Sequence, residues 1–191
     1  MGMAENRNII VADESALHVY LHSKGLVELG AKATRGNPLE NRASTSKELG
    51  DFNSEHPLFG GTPVSLLVQS QSNKRHSNRI ATRASTHSFP SGSFLKLKSG
   101  LYITSPELTL VRMSAFVSKT QLVDICTNLC GCYYVRRPDD KIVKRPRFLT
   151  SLKQIESYIE SAGTLNGASK VRAALKRSIT YYVEEIGRAH V

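Results

Sequence analysis

No unbroken apolar run in the 191 residues approaches the roughly 20 needed to cross a bilayer, so the sequence offers no membrane span. Met1 to Arg7 carries Glu5 and Arg7 and leads into a very short apolar run, so a secretory apolar region is lacking too. Cysteine is scarce: Cys126, Cys130 and Cys132 are too few and too clustered for a disulfide framework. These absences predict a cytoplasmic protein with reduced thiols and no membrane partner. There is no internal repeat, and no phosphate loop, dinucleotide fingerprint, nucleophile elbow or suitable Cys and His pair. Catalysis has no visible seat. With 40% hydrophobic and 22% charged residues the chain is neither wholly disordered nor fibrous, and a sizeable core is within reach.

Charge is distributed unevenly. Residues 1–60 hold six basic and eight acidic side chains, a balance of −2, so residues 61–191 carry +12 and the whole chain a formal +10. A basic surface favours phosphate backbones, anionic membranes or acidic partners without choosing a sequence or a fold.

Asn8 to Ala12 is a short apolar run, and Asp13 ahead of Ser15, Ala16 and Leu17 looks like a helix start. From Lys32 to Gly61 the composition turns to Gly, Asn, Ser, Glu and Pro, which predicts a long loop with one helical turn. Val64 to Val68 reads as a buried strand, Gln69 to Asn78 as a polar turn, and Arg79 to Ser85 as a weaker strand. Ser93 to Lys98 and Leu101 to Ile103, joined by Ser99 and Gly100, predict a hairpin. Ser105-Pro106-Glu107 opens a helix that is apolar nearly all round through Val117, with only Thr109, Arg112 and Ser114 polar. A second helix starts near Ser118, buries Leu122, Ile125, Cys126, Leu129 and Cys130, and ends at Gly131. Beyond a basic connector, Tyr133 to Phe148, a third helix opens with Ser151 and Gln154 as a capping box and stops at Gly163. Asn166 caps a last helix with Val171, Leu175, Ile179 and Tyr182 inward and Lys170, Arg172, Lys176 and Arg177 outward. The expected class is α+β: a small, mostly antiparallel sheet over about residues 64–104, covered by several helices. Residues 1–60 are expected to form an N-terminal helix and polar loop region, and residues 61–184 a recognition domain.

Zinc is one reading of Cys126, Cys130 and Cys132, but two of them sit on an apolar helical stripe and no fourth ligand is near, so core packing is expected. His18 and His22, four apart on a helix, lack the glutamate of a metalloprotease motif. Pro138-Asp139-Asp140-Lys141 superficially resembles a nuclease core, yet such carboxylates come from neighbouring strands, and a solvated turn is expected. No metal, cofactor or catalytic residue is therefore assigned. The binding candidate is the run Arg136, Arg137, Lys141, Lys144, Arg145 and Arg147, flanked by Tyr133, Tyr134 and Phe148. Its cations can neutralise phosphates and its aromatics can stack on unpaired bases. The same run also fits a solvated connector. Lys74, Arg75, Arg79 and Arg83 form a second, weaker basic stretch that would complete a groove if the two face the same way.

The stretch Pro90 to Phe94, continuing from Gly100 through Thr109 and then Leu129 to Tyr133, is similar to the N-terminal part of an actinobacterial endonuclease-like family of the very-short-patch-repair type. The Asp13 to Tyr20 opening and the Phe148 to Leu152 helix start fit the same family, so the resemblance covers most of the chain. The order of strand, Ser-Pro-Glu-Leu and helix also resembles AbiEi-type antitoxin regulators of type IV toxin–antitoxin systems. The first resemblance implies a nuclease domain, with its acidic catalytic residues, following the last helix, so no catalytic residue carries over to this sequence. Glu185 to Val191 matches the translation of the sequencing-adapter string GAG ATC GGA AGA GCA CAC GTC and is excluded from functional reasoning. The expected function is that of a truncated, non-catalytic module of an endonuclease-like protein that recognises DNA or a protein partner, not an enzyme in this fragment. An antitoxin-like regulator with a toxin partner, or a protein-interaction module, is the alternative.

Overall fold

The structure, a computed structural model, describes residues 8–22, 30–40, 59, 63–75, 77–131, 133–136, 141–144, 148–163 and 165–177, with the backbone alone for 133–136 and 141–143. The apolar run after Asn8 forms β1 (Ile9–Val11), and α1 (Asp13–His22) follows at once. Next come β2 (Lys32–Ala33), β3 (Val64–Val68), a single 3-10 turn at Gln71–Asn73, β4 (Ile80–Ala84), β5 (Phe94–Lys98) and β6 (Leu101–Thr104). The rest is α2 (Pro106–Met113), α3 (Lys119–Cys130), β7 (Tyr133–Arg136), β8 (Lys141–Lys144), α4 (Leu152–Ala162) and α5, over residues 168–177. Among the described residues no helix is long and apolar enough to cross a membrane.

The class is α+β, with a sheet wider and more mixed than expected. Its order is β2-β5-β6-β1-β3-β4. β1 runs parallel to β6, with Ile9 opposite Leu101, and antiparallel to β3, with Val11 opposite Leu66. A strand covered on both faces reads as continuously apolar, and Ile10 and Val11, successive residues that face opposite sides of the sheet, are both buried. The compositional shift near residue 60 thus separates segments that share one sheet. β3 and β4 are parallel, because residues 69–79, carrying the 3-10 turn, return the chain to the starting end of β3. On the outer edge of β4, Ser77 N–H donates to the Ile80 carbonyl and Thr82 N–H to the Arg75 carbonyl, which blunts it against pairing with another chain. The β5–β6 hairpin forms as expected, turning at Gly100 with φ of 70°.

Ser105 Oγ accepts the Leu108 N–H and Pro106 occupies the first turn, so α2 starts as its residues dictate and buries Leu108, Leu110, Val111 and Met113. The apolar helix ends earlier than the composition suggests. Ser114 Oγ donates back to the Val111 carbonyl, the chain leaves the helix after Met113, and Phe116 stands 49% exposed. In α3 the reciprocal capping box is Ser118 with Gln121. Leu122, Cys126 and Leu129 are fully buried, while Ile125 and Cys130 are only half-buried. Ser151 caps α4 by accepting from Gln154 N–H, but its hydroxyl also bonds the Gln154 side chain, so the expected box lacks its return half. α5 buries Val171 and Leu175, whereas Ile179 and Tyr182 lie outside the described residues. Lys170, expected in solvent, instead donates from Nζ to the carbonyls of Ser114 and Val117, 2.6 Å each, where a cation meets carbonyls just beyond the end of α2.

Candidate functional site

The basic segment expected as a connector contains a second, two-stranded sheet. β7 and β8 pair antiparallel, with Tyr133 opposite Lys144, Tyr134 opposite Val143, Val135 opposite Ile142 and Arg136 opposite Lys141. β7 lies against α1 and α3, which makes β8 the outer strand of the pair. Lys144 is exposed at the end of β8, and Phe148 is 54% exposed four residues later. The chain is fixed immediately beyond: Leu149 and Thr150, both buried, donate their N–H groups to the Leu129 carbonyl at the end of α3. Thr150 Oγ1 also donates to Glu107 Oε1 at 2.5 Å. Of the sequence candidates, Tyr133, Tyr134, Arg136, Lys141 and Lys144 therefore share one hairpin. Arg137, Arg145 and Arg147, with Asp139 and Asp140, lie outside the described residues.

The second basic stretch does not act as one surface, because Arg83 is committed elsewhere. Its Nη2 donates to Glu14 Oε1 at 2.8 Å, its Nε lies 3.8 Å from Asp13 Oδ2, and its guanidinium sits 3.7 Å above the Phe116 ring. Asp13 is the centre of this cluster. It is fully buried and held in a two-pronged pair by Arg112, Nε to Oδ1 at 2.6 Å and Nη2 to Oδ2 at 2.9 Å. Its φ of 52° lies in the left-handed region that aspartate tolerates better than most side chains. Ser65 Oγ donates to Glu14 Oε2 at 3.0 Å, and Ser65 N–H to Ser15 Oγ at 2.9 Å, so the cluster ties α1 to β3, β4 and α2. Burial works to raise the Glu14 carboxyl, but its own backbone hydrogen bond, the Arg83 charge and the bonds from Ser65 and Arg83 outweigh that and leave it below the ordinary 4.5. With both Asp13 oxygens bound to a guanidinium, the cluster is suited to joining elements and not to acid–base work. Sequence reasoning missed it because Asp13 and Arg112 are 99 residues apart. The available signal was an arginine near the end of a mostly apolar helix.

Among the described residues no group of three His, Cys, Asp or Glu side chains is placed to hold a metal ion. Cys126 is fully buried in the core, and Cys130 is half-buried; both thiols are reduced, and a hydrogen bond with Cys126, then burial, pushes the Cys130 thiol up. Cys132 lies outside the described residues. His18 and His22 stack with ring centroids 3.8 Å apart, and His22 Nδ1 is 2.8 Å from the His18 carbonyl. Because a carbonyl only accepts, that nitrogen carries the proton.

Burial, and secondly the neighbouring His22, hold His18 below its ordinary 6.5. Folded protein therefore takes up a proton there less readily than the unfolded chain. The corresponding stability is complete above about pH 6.5 and is lost as pH falls from there through the folded value. Glu14, also lowered, adds stability present above 4.5 and lost as pH falls through its folded value. The denaturation midpoint is expected to fall on acidification below pH 6.5, with His18→Gln flattening the first part of the fall. A midpoint insensitive to that substitution across the same range would contradict the assignment.

A shallow cleft beside the start of β1, lined by Asn8, Ile10, Leu67, Asn73, Arg75 and Thr82, has room for about one water molecule, too little for a substrate. No protein-family model, no curated protein and no solved structure matches the chain.

Proposed function

We propose that the chain is a non-catalytic recognition module that binds nucleic acid through the β7–β8 hairpin and the residues after it. The observation that carries this reading is the register of Arg136 opposite Lys141. Like charges directly opposite each other destabilise an antiparallel ladder. A bound phosphate relieves that repulsion, and Arg137, Arg145 and Arg147 lie next to the strands in sequence. The exposed Lys144 and Phe148 add a further cation and an apolar ring, four residues apart in sequence.

Anisotropy titration of a labelled oligonucleotide tests this. Replacing Arg136, Arg137, Lys144, Arg145 and Arg147 together by alanine should abolish measurable binding at physiological salt. Arg172→Ala should change it little, since that exposed charge lies on α5. Lys170 is unsuitable as the control because it holds two carbonyls. Unaltered binding by the fivefold variant would move the function to another surface.

A further inference from the structure

We propose that this surface takes an unpaired nucleic-acid strand, with Phe148 stacking on one of its bases; the inference rests on the reading of the hairpin as a nucleic-acid interface. Among the described residues Phe116 and Phe148 are the two large apolar side chains left exposed. Phe116 already carries the Arg83 guanidinium on its ring. Phe148 is 54% exposed while its successors Leu149 and Thr150 are 6% and 1% exposed, so the ring stands on a backbone fixed to the end of α3. Thr150 is fixed a second time by its bond to Glu107 on α2. An aromatic side chain presented from an anchored backbone loses less freedom on binding than one on a loose tail.

The chemistry selects the strand. In a duplex the bases show only their edges in the grooves, whereas an unpaired base offers its whole face to a ring. Stacking of this kind does not depend on which base is presented, so the surface should show little sequence preference. Lys144, exposed at the end of β8 and four residues before the ring in sequence, supplies a cation for the phosphates of the same strand. DNA and RNA strands share both features, a phosphate backbone and exposed base faces.

The full chain is titrated with labelled oligo(dT), with oligo(rU) of equal length and with the oligo(dT)·oligo(dA) duplex. Wild type should bind at least one single strand more tightly than the duplex, and the two single-strand arms show which sugar is accepted. Phe148→Ala and Phe148→Leu should both weaken single-strand binding roughly tenfold, leave duplex binding within about twofold, and keep the circular dichroism spectrum unchanged. Phe148→Trp should restore it. Because leucine keeps an apolar side chain without an aromatic face, its loss separates stacking from packing. Tighter duplex binding by wild type would overturn the proposal, as would single-strand binding that is lost in the fivefold basic variant but unchanged in both Phe148 variants. Failure of wild type to bind any probe would overturn the nucleic-acid reading itself.

Discussion

Arg112→Ala is expected to lower the unfolding free energy by about 3–5 kcal/mol, the range for removing one partner of a buried ion pair. The magnitude follows from Asp13, whose carboxylate is fully buried and takes two of its hydrogen bonds from Arg112. Without them a charged group stays behind with only the more distant Arg83 Nε, 3.8 Å away. Arg112→Lys should recover only part of the loss, since an ammonium cannot reproduce the two-pronged fork. Asp13→Ala adds a second effect, because alanine resists the left-handed backbone that aspartate occupies at φ of 52°. Chemical denaturation of both single variants and the double variant gives the coupling. A loss below about 1 kcal/mol in Arg112→Ala would show that the pair does not hold α1 to α2.

Gly167→Ala is expected to be the other severe change, at about 2–4 kcal/mol. Two terms act together. The backbone φ is +97°, where an L side chain is strained, and an added Cβ would collide with Ser114 Oγ and stand 2.7 Å from the Val111 carbonyl. Ser114 cannot simply rotate away without giving up its hydrogen bond to that carbonyl. Relief would require α5 to lift from the end of α2, which also breaks the two Lys170 bonds. Gly92→Ala supplies the comparison. Its φ of +84° carries similar backbone strain, but open space surrounds it, so a smaller loss of about 1 kcal/mol is expected. Equal losses at the two positions would show that strain alone matters and that the contact with Ser114 yields freely.

The features legible in the sequence were those set by neighbours in the chain. Ser105, Pro106 and Glu107 start α2 through local hydrogen bonding, Ser118 starts α3, and Ser99 with Gly100 turns the β5–β6 hairpin. Long-range pairings were not legible. Nothing near Ile9 indicates that it lies parallel to Leu101, and the short 69–79 connection gives no sign that β3 and β4 run the same way. Arg83 looked like a member of a basic patch because its partners Asp13, Glu14 and Phe116 come from distant segments. At the candidate site the density of charge concealed a strand pattern. Tyr133, Tyr134, Val135, Ile142 and Val143 are strong strand formers, and they pair across residues 137–140. The exposure of Phe148 could not be read either, since an aromatic residue at a helix entry is as readily buried.

The claim that the basic hairpin binds through phosphate contacts is tested most directly by the salt dependence of oligonucleotide affinity. Each neutralised phosphate contributes about 0.7 to the slope of log K against log salt for a single strand and about 0.9 for a duplex. Wild type should therefore show a steep negative slope on oligo(dT). Single alanine replacements at Arg136 and Lys144 should each flatten it by about 0.7, while Arg172→Ala leaves it unchanged. A wild-type affinity that does not respond to salt, or a slope that survives both replacements intact, would contradict the assignment of this surface.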